Sequence, residues 1–254
     1  MRLKDKVAIV TGGGAGIGRE FALGLADEGA KVVIADVDID AARSVARSIR
    51  DKGKEALDVG TDVSKVDDCE RMVHKTMDRF GKIDILVNNA AVYMRVPAAK
   101  LPLWEMGPEE WNKVLDVNLT GVFLCCRAVL PKMITQGSGK IINMASAHGL
   151  IGVANFAHYV ACKGGILSLT KALAKETGSY NINVNCIAAG SILSEDNSED
   201  PNVIAYREAA VATRAIKRIG YPKDLLGTVI FLASSDSDFI TGQTIVVDGG
   251  AVMH

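Results

Sequence analysis

The chain has 254 residues, 48% of them apolar and 23% charged, which suits a single α/β unit with a large core. Its 29 basic and 30 acidic side chains leave a net charge of −1, so no global field favours nucleic acid or an anionic membrane. Cys69, Cys125, Cys126, Cys162 and Cys186 are odd in number and never spaced C-x-x-C, which argues against a disulfide framework or a zinc site. Buried free thiols and no metal are expected.

The N-terminus, MRLKDKVAIVTGGG, meets glycines too soon for a secretory signal, and no run approaches the roughly 18–20 uninterrupted apolar residues of a membrane span. A cytoplasmic protein is the expectation. Short β-branched runs then alternate with helical patterns. KVAIVT (6–11) reads as a strand and Gly16 to Glu28 as the helix after it. KVVIAD (31–36) and Asp40 to Lys52 repeat the unit, as do the weaker strand EALDVG (55–60) and the helix Val66 to Phe80. IDILVNN (83–89) precedes a long helix at about Pro108–Gln136, and KIINMAS (140–146) precedes another at Tyr159–Thr177. INVNCIA (182–188), a helix near Lys223–Ala233 and a weaker strand in TIVVDGG (244–250) complete the series.

Nearly continuous apolar strands are those covered on both faces. The alternation therefore predicts a single-domain, Rossmann-like doubly wound α/β fold over residues 1–254. About seven parallel strands would carry helices on both faces, with ligands beyond their carboxyl ends. Two segments break the rhythm: VYMRVPAAKLPLWEMGP (92–108), with three of the six prolines, and GSILSEDNSEDPN (190–202), with four acids. Both follow strands, so substrate loops are expected at about 92–108 and 190–210.

TGGGAGIG (11–18) joins the first strand to the first helix. Gly12, Gly16 and Gly18 are spaced T-G-x-x-x-G-x-G, a variant of the dinucleotide fingerprint. Glycines allow the tight turn and close approach of a pyrophosphate, and the helix N-terminus offers free N–H groups to phosphate. Asp36 ends the second strand 18 residues past Gly18, where the acid of this fingerprint belongs. Its carboxylate would accept the ribose hydroxyls and repel a 2′-phosphate, and neither Ala15 nor Val37 supplies a compensating cation. NAD(H) is favoured over NADP(H). Asp62, after the third strand, is a candidate adenine contact or a simple turn residue.

Tyr159 and Lys163 lie four apart, on one helix face. Ser146 ends the fifth strand, and Asn118 sits in the long helix. Oxidising an alcohol needs a base for its proton, and a phenol with pKa about 10 is a poor one near neutrality. A nearby ammonium favours the phenolate, and a serine can hold the substrate oxygen. With TGGGAGIG, NNAA (88–91), DVNLTG (116–121), Ser146, YVACK (159–163) and FITGQTIVVDGG (239–250), the chain resembles the short-chain dehydrogenase/reductase family along nearly its whole length.

That resemblance implies catalytic Asn118, Ser146, Tyr159 and Lys163. Tyr159 would be the general acid/base and Ser146 the substrate-oxygen anchor. Lys163 would bind the nicotinamide ribose and lower the tyrosine pKa, while Asn118 would hold a relay water by distorting its helix. Gly12, Gly16, Ile17, Gly18, Asp36, Asp62, Val63, Asn89, Tyr159, Lys163 and Ile192 would contact the cofactor. The long helices would pair into a homotetramer.

The chain departs from the family pattern at Ala91, where glycine is usual, and at Ala189-Gly190, where Pro-Gly is typical. Cys162 reads as a small packed thiol. Tyr93, Met94, Leu103 and Trp104 are expected near the catalytic edge, as pocket residues or as a surface loop folded back on its own apolar side chains. Asn155, Phe156 and His158 are candidate pocket residues, His158 rather as a packing or capping residue. The function expected is NAD-dependent oxidation of a hydrophobic or aromatic secondary alcohol, or the reverse ketone reduction. A 3-oxoacyl-carrier-protein reductase fits less well, because those enzymes mostly use NADPH and need basic surface. A non-catalytic NAD-binding regulator would have lost Tyr159 or Lys163.

Overall fold

The computed structural model of the chain describes residues 1–93, 99–194 and 201–253. Seven parallel strands form one sheet in the order β3-β2-β1-β4-β5-β6-β7. They are β1 (Val7–Thr11), β2 (Lys31–Asp36), β3 (Ala56–Gly60), β4 (Ile85–Asn88), β5 (Gly139–Ser146), β6 (Ile182–Ala189) and β7 (Thr244–Val247). The strand order reverses between β1 and β4, which pair from Ala8↔Ile85 to Val10↔Val87. That reversal opens a crevice at the carboxyl edge.

Successive strand side chains point to opposite faces, and the strands feed two cores accordingly. Val10, Val32 and Ile34 pack with Phe21, Leu25, Ile49 and Val229. These come from α1 (Gly16–Asp27), α2 (Ile39–Arg50) and α9 (Lys223–Ala233). Ile9, Val33 and Leu86 pack on the other face with Met72, Val129, Met133 and Ile166. Those belong to α3 (Val66–Phe80), α5 (Gly121–Gln136) and α7 (Ala157–Thr177). The doubly wound single domain read from the sequence is the observed one.

Three departures from the sequence reading bear on the site. The stretch Pro108–Gln136 is long and apolar enough to span a membrane by length and composition, yet it is a core element of this fold. The helical run is unbroken over the expected bounds, but its α-helical bonding gives way to a π-helical turn at Asp116–Thr120 between α4 (Pro108–Leu115) and α5. Next, α6 is a short turn at His148–Ile151. The third lies where a substrate loop was expected: residues Pro201–Val211 form a helix, α8. Its Pro201 sits at the first helical position, where the missing N–H costs nothing. The four acids of the 190–202 segment, and Met94 of the other loop, fall outside the described residues.

Candidate active site

The glycine loop is a backbone cradle closed to side chains. Gly12 has φ +62°, and a Cβ on it would meet the Ala90 Cα at 2.8 Å. At Gly18 a Cβ would fall 2.0 Å from the Gly12 carbonyl oxygen, so α1 can start this close to β1 only with glycine there. No side chain caps the start of α1 at Ala15. Its first N–H groups are therefore open to a ligand that would carry negative charge, without competition from a capping oxygen. Asn89 fastens the cradle to the end of β4, its Nδ2 donating to the carbonyls of Thr11 at 3.1 Å and Gly12 at 3.2 Å.

Asp36 is buried at the cradle's edge. Its carboxylate accepts the Gly14 amide at 2.8 Å and the Asp38 amide at 3.0 Å. The acid is thereby aimed at the loop that would hold a pyrophosphate. Asp62 accepts both the amide and the hydroxyl of Ser64, at 3.0 and 2.6 Å, and so closes a turn. Burial tends to raise its pKa, but Ser64 and the Lys65 ammonium bring it below the ordinary carboxylate value. Val63 is buried against Gly121, where a Cβ would meet the valine methyl at 2.7 Å. These residues fit a dinucleotide: a cradle that excludes Cβ atoms, an uncapped helix start and a carboxylate at the end of β2.

Past the crevice, a chain of buried amides ties the strand ends to α7. Asn88 Nδ2 donates to Asn143 Oδ1 at 2.9 Å, and Asn143 Nδ2 donates to Thr170 Oγ1 at 3.0 Å. That chain fixes α7 against β4 and β5, and with it Tyr159 and Lys163. Lys163 is buried, donates to the Met144 carbonyl at 2.8 Å, and holds its ammonium 5.4 Å from the Tyr159 ring centre. Burial brings the Lys163 pKa down from 10.5 to about 8.

Ser146, Tyr159, Lys163, Ile17 and Ile192 line one cavity of about 160 Å³, and Asn89 and Ala91 stand at its cradle end. Ala91 has no positive φ, so alanine replaces the usual glycine there without backbone strain. Gly190, by contrast, is required, because a Cβ would come 2.5 Å from that of Asp248. Asn118 lies in the π turn, as the expected helix distortion implies, and π turns recur at functional sites. Its side chain grips the Val92 backbone twice, accepting the amide at 2.6 Å and donating to the carbonyl at 3.1 Å.

The Tyr159 phenol does not behave as expected from Lys163 alone. Burial, and then Tyr93, push its pKa well above the ordinary value, while the Ser146 hydroxyl and the Arg207 guanidinium pull the other way. In the protein alone burial wins, so the expected lowering by Lys163 is not the governing influence. The phenol is protonated at neutral pH, the state that donates rather than accepts.

The loop residues divide. Tyr93 reaches the cavity and lies 5.0 Å from the Tyr159 ring and 5.7 Å from that of Phe156, which stacks on Tyr159 at 4.8 Å. Leu103 and Trp104 are exposed and line no part of the cavity, and Asn155 is exposed too. Pro102 opens the short turn at Leu103–Glu105 that carries the exposed Leu103 and Trp104 side chains before α4 begins. His158 is buried and its Nδ1 accepts the Tyr159 amide at 2.7 Å, a capping role. All five cysteines are buried and free; burial raises the Cys162 thiol to about 11, which suits a packed side chain.

Two cavity residues were not legible in the sequence. His148, at the start of α6, has a buried Nδ1 without a partner, and burial, then Arg207 and Lys100, lower its pKa. Arg207, on α8, is buried in the cavity wall.

With this geometry in place, the comparisons are specific. A family model described as enoyl-(acyl carrier protein) reductase matches residues 12–252. A 3-oxoacyl-[acyl-carrier-protein] reductase of Synechocystis is 40% identical over 253 residues, 99% of this chain and 98% of that protein. The chain belongs to the short-chain dehydrogenase/reductase family. The corresponding Staphylococcus epidermidis reductase is 39% identical over 250 residues, covering 98% of this chain and all of that one. Among solved structures, levodione reductase superposes with a TM-score of 0.91 at 35% identity, over 98% of each chain. A short-chain dehydrogenase/reductase from Mycobacterium marinum gives 0.90 at 34%, over 99% of this chain and 97% of that one. The chain is thus an oxidoreductase of a family that works with a nicotinamide cofactor.

Proposed function

We propose that this short-chain dehydrogenase/reductase transfers hydride between NAD(H) and a secondary alcohol or ketone with an apolar or aromatic body. The observation that carries the reading is one cavity at the strand-order reversal, shared by Ser146, Tyr159, Lys163 and the end of the glycine cradle. Tyr93, backed by the buried Phe156 ring, gives it an aromatic wall suited to an apolar substrate.

Each side chain then has a defined task. Gly12, Gly16 and Gly18 let the backbone meet the pyrophosphate, Asp36 receives the adenosine ribose, and Ile17, Asn89 and Ile192 position the nicotinamide end. Asp62 and Val63 border the adenine side. When bound there, the nicotinamide supplies or accepts the hydride. Ser146 hydrogen-bonds the substrate oxygen. Tyr159 gives that oxygen a proton in reduction and takes it back in oxidation, and its raised pKa favours the donating role near neutrality. Lys163 holds the ribose and carries the positive charge behind the phenol. Asn118 fixes the backbone at Val92 and so the floor beneath Tyr159, and it would hold the water that returns the proton to solvent.

Asp36 supports the choice of cofactor. Asp36→Ala is expected to lower kcat/KM with NADH and raise it with NADPH, shifting their ratio by about 100-fold, the scale of one removed repulsion with one lost hydrogen-bonded anchor. An unchanged ratio in steady-state assays with both cofactors would remove the assignment.

A second reading, reduction of a 3-oxoacyl chain on a carrier protein, is favoured by the names of the Synechocystis and Staphylococcus relatives. It predicts a preference for NADPH and for carrier-bound over free ketones, so the same cofactor comparison separates the two. We further propose a homotetramer built on the long helices, because Phe123 and Ile134 of α5 stand exposed. Light scattering should give four times the chain mass, and a monomer would refute it.

A further inference from the structure

Arg207 is a buried cation that, among the described residues, has no acid paired with it. It projects from α8 into the wall of the catalytic cavity and is 4% exposed. Its Nη1 donates to Ser191 Oγ at 2.8 Å, while its Nε is buried without a hydrogen-bond partner. Among the described residues no carboxylate forms an ion pair with it.

A guanidinium withdrawn from water in this way is costly unless an anion or a full set of acceptors meets it. Arg214, nearby in sequence and equally buried, shows what a structural arginine does in this region. It donates to the Arg218 carbonyl at 2.7 Å and, through Nη2, to the Ser191 carbonyl, and so already ties the chain at Ser191 in place. Arg207 duplicates that anchoring with Nη1, stands within reach of the Tyr93 phenol and 5.5 Å from the Tyr206 ring centre, and leaves Nε without a partner. The planar Nε side matches a carboxylate.

The surroundings agree. His148 presents a second buried nitrogen without a partner in the same cavity wall. Lys100 is a further cation, close enough to His148 to help lower its pKa, and lies 4.8 Å from the Tyr206 ring centre and 5.8 Å from that of Phe156. We propose that Arg207 selects substrates that carry a carboxylate close to the reacting carbon, so that the preferred substrates are short oxo acids and the matching hydroxy acids. Arg207 shares its cavity wall with Ser146 and Tyr159 and stands close enough to pull on the Tyr159 phenol, which places the carboxylate near the reacting carbon. The inference rests on the oxidoreductase reading above, keeps its hydride and proton transfer, and narrows its substrate to one whose apolar part meets Tyr93 while its carboxylate meets Arg207. The carbonyl carbon gains a hydride as NADH becomes NAD+, the oxygen gains the Tyr159 proton, and the carboxylate is only bound.

The test compares short 2-oxo and 3-oxo acids with their methyl esters, which keep the ketone and lose the charge. Wild type is expected to show kcat/KM about 100-fold higher for the acid than for the ester, the scale at which a site built to bind a polar group rejects an analogue lacking it. Arg207→Leu should lose about that factor on the acid, mostly through KM, and stay within about threefold of wild type on the ester. Arg207→Lys should recover part of the loss and guards against a folding defect in the leucine variant. Equal use of acid and ester by wild type would overturn the proposal, and so would equal losses on both in Arg207→Leu, the pattern expected if Arg207 only tunes Tyr159. Ester turnover that disappears in Tyr159→Phe keeps the oxidoreductase reading standing when the preference fails. If no ketone in the set is reduced, calorimetric titration of the acids decides. Binding lost in Arg207→Leu upholds the proposal, and equal or absent binding overturns it.

Discussion

Tyr159→Phe is expected to lower kcat for ketone reduction by about 1,000-fold while the affinity for NADH stays within about twofold of wild type, the range of a lost general acid. The change removes one oxygen atom from a ring that is otherwise held by packing. Phe156 stacks on it at 4.8 Å and Tyr93 flanks it at 5.0 Å, so the phenylalanine keeps its place. Lys163 donates to the Met144 carbonyl and not to the phenol, and therefore stays where it is. What disappears is the proton that the buried, protonated phenol supplies. A variant within tenfold of wild type, measured by NADH absorbance, would mean that another group donates that proton.

Lys163→Met should have two opposite effects. Activity falls by more than about 100-fold, because the charge behind the phenol and the ribose anchor are both lost. Yet the cofactor-free variant should be more stable than wild type at pH 7. Burial lowers the Lys163 pKa from 10.5 to about 8, which at about 1.4 kcal/mol per unit costs the charged folded form about 3 kcal/mol. The lost hydrogen bond to Met144 returns about 1 kcal/mol of that, leaving a gain of about 2 kcal/mol, or roughly 5 °C in Tm. The pH dependence has a fixed sign. Below pH 8 the lysine is charged in both folded and unfolded chains, and the penalty is complete. Between about 8 and 10.5 the unfolded chain holds more protons, so wild-type stability rises with pH and the difference between the proteins shrinks. Calorimetry from pH 6 to 10 tests this. A gain that is absent, or constant across the range, contradicts it.

The parts of the site with local signatures were legible in the sequence. The glycine loop, Asp36 at the end of β2, Ser146 at the end of β5 and the Tyr159–Lys163 spacing all rest on periodicity within one or two elements. Strand–helix alternation was enough for the sheet, because each crossover is forced by the parallel geometry. Arg207 was not legible for a physical reason. The run PNVIAYREAAV has no apolar stripe at helical spacing, so α8 carries no pattern that separates it from the polar segment before it. Pro201 at the first helical position, followed by alanine, arginine and glutamate, was the available signal. His148 escaped because its burial depends on α6 folding back on α7, a contact between elements. The same limit explains Leu103 and Trp104: their apolar character suggested a pocket, and only the path of the chain shows them facing outward.

The Tyr159 phenol shows how tertiary environment reverses a pairwise argument. A lysine four residues away suggests a lowered pKa, but burial of the ring sets the balance the other way. Alkaline pH should therefore be needed for fast alcohol oxidation, whereas ketone reduction proceeds near neutrality.

The central claim is hydride transfer from NADH to a carbonyl carbon beside Tyr159. It is tested most directly with NADH carrying deuterium at both C4 positions and a set of apolar ketones and short oxo acids. Mass spectrometry should find one deuterium on the carbinol carbon of the product, at least 100-fold faster with wild type than with Tyr159→Phe. A product without deuterium, or equal rates for the two proteins, would contradict the account.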